Sequence, residues 1–231
     1  NVLGTINPIE DITKIAHEKG VAVFVDGAQA AQHILVDVQK MDVDFYAFSA
    51  HKMYGPNGVG VLYGKKKWLN EMPPYQGGSE MISEVSFEKT TFNELPYKFE
   101  AGTPNITSVI AFGAAINFLN EIGIPQIAVW EHELLEYATL KLKEIKGIQF
   151  YGESSKKSSV ISFNIEGIHS YDLGMLLDKM GIAVRTGHHC ADTVMQHFGI
   201  QGTVRISFGM YNTKEEIDVF IAALNKVLLM F

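Results

Sequence analysis

Three stretches of this 231-residue sequence place reactive side chains close together: Asp26 to Gln29, Ser49 to Lys52, and Arg185 to Ala191. In Val25-Asp26-Gly27-Ala28-Gln29 an acid ends an apolar run. A carboxylate there needs a partner, because burying it alone is costly. Asp26 either caps the segment that follows or faces a cationic ligand group, with Gln29 as a second polar contact. Lys52 ends the next apolar run in Ser49-Ala50-His51-Lys52. By default a lysine is a solvated surface charge. At a second strand end, 26 residues after Asp26, it can reach the same crevice. An Asp aimed at a pyridinium nitrogen and a Lys able to form a Schiff base are the protein half of a pyridoxal-phosphate site.

The third stretch holds the only cysteine, Cys190, in Arg185-Thr186-Gly187-His188-His189-Cys190-Ala191. A lone cysteine is usually a small buried apolar residue. This one is flanked by glycine, two histidines and an arginine, and positive neighbours favour a thiolate nucleophile. Metal binding is disfavoured, since adjacent histidines point different ways and no acidic ligand stands close in sequence. Arg205 lies in the strand-like Val204-Arg205-Ile206 and needs an anionic partner, either in a structural salt bridge or in a ligand. Arg185 and Arg205 are the only arginines beside 17 lysines, which suggests that they are kept where a planar, bidentate donor is needed.

These residues need a scaffold, and the composition permits one. At 47% hydrophobic and 19% charged, the chain has the balance of a soluble protein, and its length should bury roughly 70–75% of the unfolded surface. The net charge of −7 argues against a general nucleic-acid binder or an anionic-membrane protein. The longest apolar stretch, Ser108 to Leu119, falls short of the roughly 20 residues that span a bilayer, and no secretory leader opens the chain. One cysteine excludes an internal disulfide and multi-Cys metal clusters within the chain.

Along the chain, Asn7 is expected to cap a helix that opens on Pro8 and ends at Lys19-Gly20. Val21 to Val25 should be a strand buried on both faces, with further strands over 44–49 and 59–63. Residues 64–104 are Gly/Pro/Ser-rich and weakly patterned, which suggests a functional or interface segment. A long buried helix is expected over 106–121 and another over 125–146. Strands follow near 148–151 and 160–165, then a helix capped by Ser170. Strands near 182–185 and 203–208 flank the cysteine loop, and a last helix opens with the capping box of Thr213 and Glu216. The fold class is therefore α/β, and such sheets carry their chemistry at the carboxyl ends of the strands.

Taken together, DGAQA at 26–30, SAHK at 49–52, GPNGVGVLYG at 55–64, FEAGTPN at 99–105 and RTGHHCA at 185–191, with Asn1 before them and Arg205 after, resemble the SUF-type (group II) cysteine desulfurases and selenocysteine lyases. That branch belongs to the class V, fold-type I pyridoxal-phosphate enzymes. The resemblance implies that Lys52 holds the cofactor and moves the substrate proton, while Asp26 keeps the pyridine nitrogen protonated. It implies Gln29 on the ring hydroxyl, Ser49 and His51 on the phosphate, and Thr103 on the phosphate of a partner subunit in a homodimer. Asn1 and Arg205 would grip the carboxylate of L-cysteine or L-selenocysteine, and Cys190 would take the sulfur and pass it to a SufE-like acceptor for iron–sulfur cluster assembly in the cytoplasm. The chain begins at Asn1, and against this family it reads as a C-terminal portion lacking the N-terminal part. Residues 1–120 would then be a partial large domain and 121–231 a complete small α+β domain. On that reading the chain alone is inactive or impaired, or serves only as a non-enzymatic interaction module.

Overall fold

The computed structural model describes residues 1–231, which divide into a first unit, Pro8–Ile124, and a second, Asn1–Asn7 with Pro125–Phe231. The N-terminal residues join the second unit because their backbone pairs there. Ile6 N donates to Lys156 O (3.0 Å), Ser158 N to Gly4 O (2.8 Å), and Ser162 Oγ to Val2 O (2.6 Å).

In the first unit, helix α1 (Ile9–Glu18) begins after Pro8, which takes the cap position with no side-chain cap. The expected Asn7 cap is absent. Strand β1 (Phe24–Asp26) runs parallel to β2 (Phe45–Ser49), and β3 (Gly60–Gly64) pairs antiparallel on the other side of β2. As the edge of this three-stranded sheet, β1 pairs only with β2, so the expectation of a strand buried on both faces fails. Val21 and Phe24 are 55% and 59% exposed.

Just before β2, buried Asp44 ties three elements together. It accepts from Val23 N (2.8 Å), from His17 Nε2 at the end of α1 (2.8 Å) and from Trp68 Nε1 (2.7 Å) in α2 (Lys66–Glu71). The weakly patterned stretch also contains a hairpin, β4 (Ile82–Val85) with β5 (Thr90–Phe92), which the sequence did not reveal. Helix α3 (Ile106–Ile122) is capped by Asn105, whose side chain accepts from Ser108 N (3.3 Å). It is not the buried helix its apolar composition suggested, for only Phe112 and Leu119 are buried.

The second unit packs helices on an antiparallel sheet of order β6-β7-β9-β8. Its elements are α4 (Ile124–Lys143), β6 (Ile148–Tyr151), β7 (Val160–Ile165), α5 (Ser170–Asp178), β8 (Arg185–Gly187), α6 (Asp192–Phe198), β9 (Thr203–Ser207) and α7 (Lys214–Leu228). Leu134, Ala138 and Leu142 of α4 meet Phe163 of β7, Leu173 and Leu177 of α5, Val204 of β9, and Leu224 and Val227 of α7 in a fully buried core. His169, not Ser170, caps α5, with its ring accepting from Tyr171 N (3.3 Å). The capping box of Thr213 and Glu216 opens α7 as expected. No single helix is long and apolar enough to cross a membrane.

Candidate functional site

The first unit sets reactive side chains at and just beyond the carboxyl ends of β1 and β2. Parallel pairing sets Phe24 opposite Phe45 and Asp26 opposite Ala47, so β1 and β2 end on the same side. Asp26 ends β1 and its Oδ1 accepts from Ala28 N (3.0 Å), a local turn contact that partly fulfils the structural alternative for this acid. Gly27 N donates to Ala47 O (2.8 Å), and exposed Gln29 sits in the turn that follows. Directly below lies the ring of buried Tyr46, 1.9 Å from where a Cβ on Gly27 would stand, so only glycine fits. The Tyr46 hydroxyl has no hydrogen-bond partner. Burial and the nearby negative charge of Asp26 push it up to about 12.

Ser49 closes β2, and the chain turns at once into a single 3-10 turn, Ala50–Lys52. Ala50 is wholly buried, and its carbonyl accepts from Met53 N (2.8 Å) and Gly55 N (3.0 Å). That turn leaves His51 exposed and Lys52 partly so. Thr103 is exposed on the loop before α3, where Gly102 N donates to Gly78 O (3.2 Å).

The second unit assembles a different set around Cys190, a free and exposed thiol. His189 and Cys190 both adopt positive φ, 56° and 59°. The His189 side chain points inward, 3% exposed, with Nε2 at 2.9 Å from Thr203 Oγ1. Burial, reinforced by the positive charge of Arg205, pushes this imidazole down to about 4 and keeps it neutral near pH 7. Asn1 Nδ2 donates to His189 O (3.0 Å), and Arg205 Nη1 donates to Asn1 O (2.6 Å). Asn1, the cysteine turn and Arg205 thus come together although Asn1 lies some 190 to 200 positions from the others in sequence.

Arg205 is directly opposite Arg185 in the β8–β9 register. Like charges paired across a sheet repel. Burial and Arg185 both lower the affinity of Arg205 for its proton, and its buried Nε has no partner.

Three residues of interest escaped the sequence reading, Tyr46, Thr203 and Asp192, and His189 was read as a flanking residue of the cysteine loop and not as a buried ring. The expectation that no acid stands near the two histidines is corrected, since Asp192 Oδ1 lies 2.8 Å from His188 Nδ1. Their i,i+4 spacing was the available signal.

The family described as aminotransferase class-V matches residues 1–220. A cysteine desulfurase of Wigglesworthia glossinidia brevipalpis is 52% identical over 229 residues, which is 98% of this chain and 56% of that protein. A probable cysteine desulfurase of Xylella fastidiosa is 50% identical over 227 residues, covering 98% and 55%. Among solved structures, the apo cysteine desulfurase of Thermococcus onnurineus NA1 matches with a TM-score of 0.96 at 40% identity, covering 100% of this chain and 58% of that one. The Escherichia coli cysteine desulfurase CsdA gives 0.94 at 40% identity, covering 100% and 57%. The chain therefore spans a little over half the length of the curated relatives it matches. These matches run from end to end of the chain. Through all 231 residues they match one class-V aminotransferase-like α/β fold, and not the large domain with a separate small one that the sequence suggested.

Proposed function

Because the chain belongs to the aminotransferase class-V family, we propose that it acts as a pyridoxal-phosphate-dependent cysteine desulfurase, converting L-cysteine to L-alanine and leaving the sulfur on Cys190 as a persulfide. One observation carries this reading: the exposed Cys190 thiol stands on a turn tied through Asn1 to the half-buried, anion-seeking guanidinium of Arg205.

The donor set of the first unit fits the cofactor. Pyridoxal phosphate offers a ring nitrogen, a ring hydroxyl, an aldehyde and a phosphate. Asp26, Gln29, Lys52 and the Ser49–His51 pair are their chemical complements, at and just beyond the carboxyl ends of β1 and β2. When bound, the cofactor supplies an electron sink for the bonds around the substrate Cα.

Asp26 holds a proton at the ring nitrogen and Gln29 orients the ring hydroxyl. Ser49 and His51 bind the phosphate, and Thr103 reaches the phosphate of the partner subunit in a homodimer. Lys52 Nζ carries the cofactor and moves the proton from the substrate Cα. Arg205 and Asn1 hold the substrate carboxylate. The Cys190 thiolate then attacks the substrate sulfur. The new S–S bond would form as the substrate Cβ–S bond breaks, the electron pair of that bond would stay with the carbon side, and a proton taken up at Cβ together with the proton restored at Cα by Lys52 would complete alanine. A thiol on a SufE-like acceptor protein then removes the outer sulfur for iron–sulfur cluster assembly.

The test is direct. Protein supplied with cofactor and L-cysteine should give alanine and reductant-releasable sulfur in equal amounts, and Cys190→Ala should lose both. Undiminished alanine formation in Cys190→Ala refutes the assignment.

A further inference from the structure

His189 and Cys190 are consecutive non-glycine residues in the left-handed region. Each such residue costs about 1–2 kcal/mol, and the conformation persists only where its surroundings over-determine it. Three anchors do so here. The His189 ring is buried beneath the turn with Nε2 at 2.9 Å from the hydroxyl of Thr203, itself fully buried on β9. The His189 carbonyl is held by Asn1 Nδ2. On the near side, Gly187 backs onto Gly202 so closely that a Cβ on Gly202 would meet the Gly187 main chain at 3.0–3.1 Å.

The turn is also closed by Ala191 N donating to His188 O (3.0 Å), and His188 Nδ1 lies 2.8 Å from Asp192 Oδ1, but the buried ring is the anchor made by the side chain of a left-handed residue. A neutral imidazole has one N–H and one lone pair. With Nδ1 lacking a partner, the ring is held through Thr203, by the hydroxyl contact at Nε2 and by the Thr203 backbone.

We propose that His189 and Thr203 form a positioning lock that sets where the Cys190 sulfur stands, for the step that loads sulfur onto it and for the step that unloads it. This rests on Cys190 being the sulfur acceptor, and it assigns a role to two residues outside the reacting set. A misplacement of about 1 Å at a reacting atom can cost roughly 100-fold in rate.

Thr203→Val removes the hydroxyl at nearly constant shape, whereas Thr203→Ser keeps it. In Thr203→Val, kcat for alanine formation should fall about 10-fold or more with KM for L-cysteine nearly unchanged. Thr203→Ser should recover most of that loss. His189→Phe, which keeps a ring but has no hydrogen bond to make, should behave like Thr203→Val and serves if the latter does not fold.

A second measurement is independent of turnover. Amide hydrogen exchange over residues 187–191 should speed up in Thr203→Val and not in Thr203→Ser, while the β7 and β9 amides stay protected. Unchanged exchange over 187–191 in folded Thr203→Val and His189→Phe overturns the lock, as does a valine variant with wild-type kcat. If wild-type protein makes no alanine, the desulfurase reading fails, and the exchange experiment still decides whether the His189–Thr203 contact holds the turn.

Discussion

Asp44→Asn should destabilise the Pro8–Ile124 unit by about 3 kcal/mol. Asp44 is 1% exposed. Its Oδ2 accepts from both Val23 N and His17 Nε2 at 2.8 Å, and its Oδ1 accepts from Trp68 Nε1 at 2.7 Å with Lys65 Nζ 3.6 Å away. An asparagine offers one acceptor oxygen. Its better orientation keeps Val23 and His17 and turns its NH2 toward the indole N–H, donor against donor. A buried donor left unsatisfied costs about 1–3 kcal/mol, and loss of the charge facing His17 and Lys65 brings the total to the low end of the roughly 3–5 kcal/mol seen when one partner of a buried ion pair is removed.

The assay is urea unfolding followed by Trp68 fluorescence in a Trp130→Phe background, which silences the only other tryptophan. An acid arm tests the cause. Burial alone would raise the Asp44 carboxyl, but the hydrogen bonds from His17, Val23 and Trp68 and the charge of Lys65 outweigh it and hold the group well below its ordinary 3.8. With the folded value depressed, the stabilisation is present above the unfolded value and is lost as pH falls below it. The variant carries no such proton, so the gap between wild type and variant should narrow from about pH 6 to about pH 3. A gap under about 1 kcal/mol at neutral pH, or one that widens in acid, refutes the argument.

Two further outcomes follow from the geometry of each unit. Gly27→Ala forces a Cβ into the Tyr46 ring, so it should weaken cofactor binding, read by absorbance titration, and cost about 1–3 kcal/mol or more in the same unfolding assay. Adding Tyr46→Leu, which removes the atoms in the way, should recover part of both, and no recovery would locate the strain elsewhere. Arg205→Lys should raise KM for L-cysteine by about 10-fold or more, the equivalent of one charged hydrogen bond, and lower kcat less. An unchanged KM would remove Arg205 from carboxylate binding.

Much of the scaffold was legible because it is written locally. β2, β3, β6, β7 and β9 follow apolar runs bounded by turn residues, and Thr213-Lys-Glu-Glu216 announces α7 by its own capping chemistry. Asp26 and Ser49 could be placed at strand ends for the same reason, whereas Lys52, expected to end the second strand, stands on the 3-10 turn that follows it. Apart from helix caps misplaced by one residue and the overlooked Asp192, what failed depends on neighbours remote in sequence. The exposure of β1 is decided by which strands flank it, and that of α3 by what packs on it, neither of which a run of apolar letters records. The pairing of Gly4 with Ser158 leaves no trace in either segment alone. His189 was the hardest case, because a histidine amid Gly, His and Cys reads as solvated loop. Its burial rests on Thr203, 14 residues on, and its carbonyl on Asn1.

The same turn shows why local rules mislead most where chemistry is concentrated. Left-handed positions normally go to glycine, and this loop has a glycine two residues before His189. Gly187 takes a positive φ of its own, 107°, and Gly202 is the glycine that allows the close approach, while the next two positive-φ places fall to an imidazole and a thiol. A glycine at 190 would relieve the backbone and remove the sulfur nucleophile with it. One at 189 would relieve the backbone and remove the buried ring that meets Thr203. Strain that persists at two adjacent residues, each with a side chain the proposed reaction uses or depends on, is better explained by the position required of the Cys190 sulfur than by the stability of the loop.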